Sequence, residues 1–251
     1  MLPLGKFLKI LFMKKLVVVT GASSGIGMEL AKRFSEQGHP VLMLARRNGI
    51  MEELGLPNTM CRSVDVTDVK GMEAAIREAE AVYGKVDLLI NCAGLMLLGY
   101  PDKQDFEEWE RMIDVNVKGI LTGTKAVLAD MLARNGGTIL NISSIAGRKT
   151  FDQHSVYCGT QYAVHAITES MRKEVANSNV RFIVIAPGVV ETPLLSHTSD
   201  QGIKDNYNDW KDTIDGGLDV GKIADCVLFA YNMPQDICVR EIVVAKTKQQ
   251  D

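Results

Sequence analysis

Leu16-Val17-Val18-Val19-Thr20-Gly21-Ala22-Ser23-Ser24-Gly25-Ile26-Gly27 is the stretch from which the rest of the chain is read. Leu16–Val19 is an uninterrupted apolar run rich in β-branched residues, and it feeds a glycine-rich turn from which helical spacing starts at Gly25. A strand, a glycine turn and a helix in that order form a cradle for a pyrophosphate. Gly21 permits the tight turn, Gly25 lets the backbone approach the ligand, and Gly27 lets the helix pack close to the strand. The helix N-terminus adds free N–H groups and the positive end of its dipole. Ser23, Ser24 and Ile26 belong to the same turn and are expected to contact the ligand. The competing reading, a structural turn without a ligand, is weakened by this context.

Outward from this turn, short apolar runs alternate with helical patterns. Leu16–Val19, Val41–Leu44, Leu88–Ile90, Thr138–Ile142 and Arg181–Ile185 read as buried strands, with Cys61–Val64 and Val239–Val244 as weaker ones. Gly25–Gln37, Lys70–Val82, Phe106–Arg134, Ser155–Asn177 and Val220–Tyr231 read as helices. The expected fold is α/β: a single Rossmann-type, doubly wound domain over 14–251. Its sheet is mainly parallel and seven-stranded, with helices on both faces. Pro187–Gly217 has weak periodicity and reads as a substrate loop, about 188–217, with Tyr207 and Trp210 as its apolar contacts.

Composition sets outer limits. The chain has 251 residues, 46% of them hydrophobic and 24% charged, enough for a full core. A net charge of −3 gives no reason to expect nucleic acid as a partner. Cys61, Cys92, Cys158, Cys226 and Cys238 are odd in number and scattered, which argues against disulfides or a zinc site, and no metal is expected. They point to a reducing compartment, so a cytoplasmic location is expected. Residues 1–13 read as an N-terminal extension. Met1–Phe12 is too short to span a bilayer and is read as a loose extension before Met13, with a weak membrane-surface anchor as the alternative.

The glycine spacing is Gly-x-x-x-Gly-x-Gly, which resembles the short-chain dehydrogenase/reductase family. Further segments carry the resemblance over about residues 14–247. Asn91-Cys92-Ala93-Gly94 is similar to the family's Asn-Asn-Ala-Gly, with Cys92 as a departure. Asn116 stands in a segment like that of the family's catalytic asparagine. Ser144 and Tyr157 keep the family's serine-to-tyrosine interval, and Pro187-Gly188-Val189-Val190-Glu191-Thr192 looks like its nicotinamide-side loop. The resemblance implies a nicotinamide dinucleotide touching Asn91, Ala93, Gly94, Tyr157, Pro187, Gly188, Val190 and Thr192, with Asp65 and Val66 bordering the adenine. It also implies interconversion of a secondary alcohol or other small hydroxyl compound and its ketone or aldehyde, by hydride transfer to or from the dinucleotide. By analogy, the helices at Phe106–Arg134 and Ser155–Asn177 would pair subunits into a homodimer or homotetramer.

NADP(H) is the expected dinucleotide. An NAD protein places a carboxylate about twenty residues past the glycines. Here Leu44-Ala45-Arg46-Arg47 offers no repelling charge, and Arg46 can fork onto a 2′-phosphate with Arg47 assisting.

The catalytic set has a gap. The family pattern is Tyr-x-x-x-Lys, and the chain reads Tyr157-Cys158-Gly159-Thr160-Gln161. Residues at i and i+4 share a helix face, so Gln161 should point where lysine would. Its amide keeps two donors for the ribose but carries no charge to lower the tyrosine pKa. A tyrosine near pKa ~10 is about a thousandth ionised at pH 7. Its use as a base in alcohol oxidation should therefore suffer more than its use as an acid in reduction. Lys149, His154 and His165 offer no obvious substitute: His165 is expected to pack, and His154 to be a solvated loop residue, with a place at the pocket rim as the alternative. Two readings follow: an impaired NADP-dependent oxidoreductase, or a catalytically inactive NADP(H)-binding sensor or scaffold.

Overall fold

The structure is a computed structural model and describes residues 14–250; the expected extension over 1–13 lies outside the described residues. Seven strands form one sheet: Leu16–Thr20 (β1), Val41–Ala45 (β2), Thr59–Ser63 (β3), Val86–Asn91 (β4), Gly137–Ile142 (β5), Val180–Pro187 (β6) and Glu241–Val244 (β7). Their spatial order is β3-β2-β1-β4-β5-β6-β7 and every pairing is parallel, so the sheet is wholly rather than mainly parallel. The order reverses between β1 and β4. In a parallel α/β sheet, the crevice at that switch, beyond the carboxyl ends of the strands, is where ligands bind.

The helices are Gly25–Glu36 (α1), Asn48–Glu52 (α2), Val69–Tyr83 (α3), Phe106–Ile113 (α4), Gly119–Ala133 (α5), Ser155–Glu174 (α6), Gln201–Thr213 (α7) and Val220–Asn232 (α8). Strand alternation sorts the core into two layers. Val17, Val19 and Ile90 face Leu30 and Phe34 of α1 and Ile223 and Val227 of α8. Leu16, Val18 and Leu89 face Met72 and Ile76 of α3 and Val127 and Met131 of α5. Both faces of β1 are therefore covered, which is why its sequence is a continuous apolar run.

Two expectations need correction. The helix expected over Phe106–Arg134 is interrupted by a π-helical turn at Asp114–Lys118, which contains Asn116. The segment read as an irregular loop after Pro187 holds a 3₁₀ turn, Pro193–His197, and the whole of α7. Its helical signal is sparse but present. Ile203, Tyr207, Trp210 and Ile214 fall at spacings of four, three and four, and the Asp200 carboxylate accepts the Ile203 N–H at 3.0 Å as an N-cap. Polar residues at the other positions diluted that stripe.

Candidate active site

A crevice of about 790 Å³ opens above the carboxyl ends of the strands. Its floor is the glycine-rich turn. A Cβ on Gly21, whose φ is +67°, would stand 2.8 Å from the Ala93 Cα; one on Gly27 would stand 2.5 Å from the Gly21 carbonyl oxygen. Both positions exclude side chains so that β1, β4 and α1 can meet. Ser24 is the N-cap of α1 but makes no side-chain cap, which leaves the first-turn amides of Gly25, Ile26 and Gly27 to an incoming anion. The Thr20 hydroxyl ties the two switch strands together by accepting the Cys92 and Ala93 N–H groups at 3.0 and 3.2 Å. This cradle fits a dinucleotide pyrophosphate.

At one side of the turn, Arg47 donates to the hydroxyls of Ser23 and Ser24 at 3.1 and 3.2 Å. Arg46 stands beside it on the crevice wall and lowers the Asp65 carboxyl, which is held well below the usual range mainly by the Thr67 N–H. The direct hold on the glycine turn thus belongs to Arg47, the residue expected only to assist. Asp65 and Val66 line the wall as expected.

Cys92, Ala93 and Gly94 also line the crevice, but Asn91 does not. Its side chain, 3% exposed, donates to the Asn141 Oδ1 at 2.8 Å and packs toward α5, where Gly123 leaves room for it. Among the expected cofactor contacts, Asn91 has its side chain turned away from the mouth by strand alternation. The Cys92 thiol is pushed up to about 12 by burial, so it is neutral lining and not a nucleophile.

Four residues expected to form the catalytic set converge at the mouth. Ser144 follows β5 and caps the short turn Ile145–Gly147, accepting the Ala146 N–H at 3.1 Å. Tyr157 stands in the first turn of α6, 7% exposed, with the Ser144 side chain beside it. Burial pushes its hydroxyl up to about 12, and the contact with Ser144 offsets that only in part. Gln161 lies one helical turn further, 6% exposed, its Oε1 accepting from the Ser143 hydroxyl at 3.1 Å. With that carbonyl engaged, the amide hydrogens are what Gln161 presents to the crevice. Asn116 is a clamp. Its side chain accepts the Leu95 N–H at 2.8 Å and donates to the Leu95 carbonyl at 2.9 Å and to the Thr160 hydroxyl at 3.0 Å. It thereby fixes the segment after β4 against the helix that carries Tyr157.

No lining cation replaces lysine beside Tyr157 among the described residues. Lys149 is not in the lining, and His165 packs outside it with its Nδ1 3.3 Å from Glu241. His154 corrects an expectation: it is half-buried in the lining rather than solvated, its ring 6.2 Å from that of Tyr157. Burial lowers its pKa, and its Nδ1 is turned to the Asp152 carbonyl at 2.6 Å.

Pro187, Gly188, Val190 and Thr192 border the crevice, and the Thr192 methyl would stand 3.1 Å from a Cβ on Gly25. The loop is closed down by Thr198, whose hydroxyl accepts the Leu98 N–H at 3.1 Å and donates to the Met96 carbonyl at 3.2 Å. Sequence reasoning missed Leu95, Met96, Leu98, Phe151, Leu194 and Leu195 in the wall. It also missed Gln249, which accepts the Val189 N–H at 3.1 Å. Nothing local in sequence marks them, since they come from separate segments.

Comparison with known proteins identifies the family. The short chain dehydrogenase model matches residues 15–202. An uncharacterised oxidoreductase of Staphylococcus saprophyticus is 39% identical over 241 residues, covering 94% of this chain and 97% of that one. A closed form of serine dehydrogenase complexed with NADP+ superposes with a TM-score of 0.86 at 30% identity, covering 94% of this chain and 96% of that one. An actinorhodin polyketide ketoreductase with NADPH gives 0.83 at 26% identity, covering 95% and 98%. With the wholly parallel sheet, the glycine cradle and the tyrosine at its mouth, these matches place the chain in the short-chain dehydrogenase family.

Proposed function

We propose that the chain is an NADP(H)-dependent oxidoreductase that interconverts a secondary alcohol or other small hydroxyl compound and the corresponding ketone or aldehyde, and that Gln161 biases it toward reduction. The observation that carries this reading is the meeting of Tyr157 and Ser144 at the mouth of a dinucleotide-sized cradle. NADP-bound relatives and the Arg46-Arg47 pair support the choice of cofactor.

When bound, NADPH supplies the hydride. Ser144 donates a hydrogen bond to the carbonyl oxygen and holds it toward Tyr157. Tyr157, protonated at neutral pH, passes its hydroxyl proton to the alkoxide that develops there, and a phenol near pKa 12 remains a far better acid than an alcohol. Gln161 donates its amide hydrogens to the nicotinamide ribose. Asn116 keeps the Tyr157 helix and the segment after β4 in register, and anchoring a proton-relay water is part of the same proposal. The reverse direction needs the phenolate, which at pH 7 is only about one part in 10⁵ for a pKa of 12.

Homo-oligomer formation through α4, α5 and α6 is part of this reading, with Phe106, Leu121 and Tyr162 exposed on those helices. A cytoplasmic location also belongs to it, with free cysteines; among the described residues no helix is long and apolar enough to cross a membrane.

The test is NADPH oxidation and NADP+ reduction by this chain beside Gln161→Lys over one panel of carbonyls and alcohols. Turnover that rises on restoring lysine supports the reading. Silence from both proteins with NADPH still bound would instead favour a sensor or scaffold, for which the uncharged Gln161 is the motive.

A further inference from the structure

The charges that line the crevice are each already placed. Arg46, Arg47 and Asp65 flank the glycine turn and the adenine side. His197 is held toward neutrality by burial and then by Arg46, Arg47 and Arg111. At the opposite end, Lys211 is 3.0 Å from the Glu191 carboxylate, which also accepts the Gly217 N–H at 2.6 Å. His154 is lowered by burial and donates toward a carbonyl, and Asp152 is exposed at the rim. Among the described residues, that end therefore offers no unpaired cation for a carboxylate and no buried carboxylate for an ammonium group.

Besides the amides of Gln153, Asn206 and Asn208, it offers rings and aliphatic surface. Phe151, His154, Tyr207 and Trp210 continue from Tyr157 as an unbroken run, with adjacent ring centroids 5.5 to 6.3 Å apart. Leu95, Met96, Leu98, Ala146 and Ile203 lie beneath them, each 5% exposed or less. A carboxylate carried into such a wall loses its hydration and gains neutral donors but no unpaired cation, which costs more than burying an apolar body of the same size. Flat apolar groups gain burial and ring contacts there.

We propose that the substrate is a neutral carbonyl compound with an aromatic or alicyclic body. Its ring lies against Tyr207 and Trp210, and its carbonyl reaches Ser144 and Tyr157. Tyr207 and Trp210 are then specificity residues delivered by α7, apart from the proton-transfer pair. This inference rests on the oxidoreductase reading, and the experiment keeps the two separable.

Reduction of 2-tetralone and acetophenone by NADPH is compared with that of pyruvate and trimethylammonioacetaldehyde, for this chain, Gln161→Lys and Trp210→Ala. Thermal shift of the NADPH-loaded protein by 2-tetralol is recorded alongside. The expected result is a kcat/KM for 2-tetralone at least about a hundredfold above that for pyruvate. Trp210→Ala should raise the KM for 2-tetralone about tenfold, with kcat and NADPH affinity little changed. A charged substrate preferred over both ketones overturns the proposal. Without turnover in any variant the oxidoreductase reading fails; a stabilising shift with 2-tetralol then still supports the apolar site, and no shift overturns that too.

Discussion

At the glycine-rich end of the crevice a ligand meets main chain, whereas at the aromatic end it meets side chains. The first end is built by twelve consecutive residues, Leu16 to Gly27, whose backbone geometry leaves no room for a Cβ on Gly21 or Gly27. The second is assembled from Leu95, Phe151, Tyr207 and Gln249, which come together only when β4, β6, α6 and α7 are in place. A site made of backbone tolerates little change and serves one ligand shape. A side-chain site on a capped surface helix changes specificity without disturbing the sheet. Tyr157 and Gln161 stand between the two ends, where the proposed proton transfer takes place.

Separate substitutions should uncouple the two ends. Tyr157→Phe removes the proton donor and should lower kcat about 10²- to 10⁴-fold, while NADPH titration by fluorescence gives an unchanged Kd. If the Kd rose in step with the loss of rate, the ends would not be separable at this residue. Gly27→Val does the reverse, forcing side-chain atoms onto the Gly21 carbonyl. It should weaken NADPH binding about a hundredfold or more and cost roughly 1–3 kcal/mol of stability by overpacking.

Arg47→Ala sharpens the comparison within the dinucleotide end. A charge-assisted hydrogen bond is worth about 1.5–3 kcal/mol, so the preference for NADP+ over NAD+ should fall some ten- to hundredfold, read as a ratio of Kd values. An equal loss for both cofactors would mean that Arg47 only holds Ser23 and Ser24. The smallest effect on binding is expected for Asn91→Ala. It leaves the Asn141 carbonyl oxygen without its buried donor and should cost about 1–3 kcal/mol in urea denaturation, with NADPH affinity unchanged.

The same division explains what could be read from sequence. The strands and the glycine-rich turn were legible because buried parallel strands are continuous apolar runs and glycine spacing reports backbone geometry directly. Ser144, Tyr157 and Gln161 were legible through spacing, and the structure brings them together at one mouth. Helix α7 was not, because the four apolar positions in Gln201–Ile214 lie among ten polar or small neighbours. The direction of the Asn91 side chain was not legible, because the motif says nothing about which way a strand residue points, and alternation turns it inward. His154 was taken for a solvated residue because its burial depends on Phe151 and on Tyr207, more than fifty positions away.

The central claim is that an otherwise complete site is held back by an uncharged residue beside Tyr157. The most direct test is the pH dependence of alcohol oxidation from pH 7 to 10, in this chain and in Gln161→Lys, with one alcohol that turns over. The Tyr157 pKa is raised to about 12, so the phenolate fraction grows with pH over this whole range. The account predicts a rate that climbs about tenfold per pH unit without a plateau. In Gln161→Lys the ammonium should lower that pKa, bringing a plateau within the range and a gain at pH 7 of about a hundredfold or more. A flat profile in the unaltered chain, or profiles that coincide, would contradict it and show that proton transfer does not depend on the charge at this position.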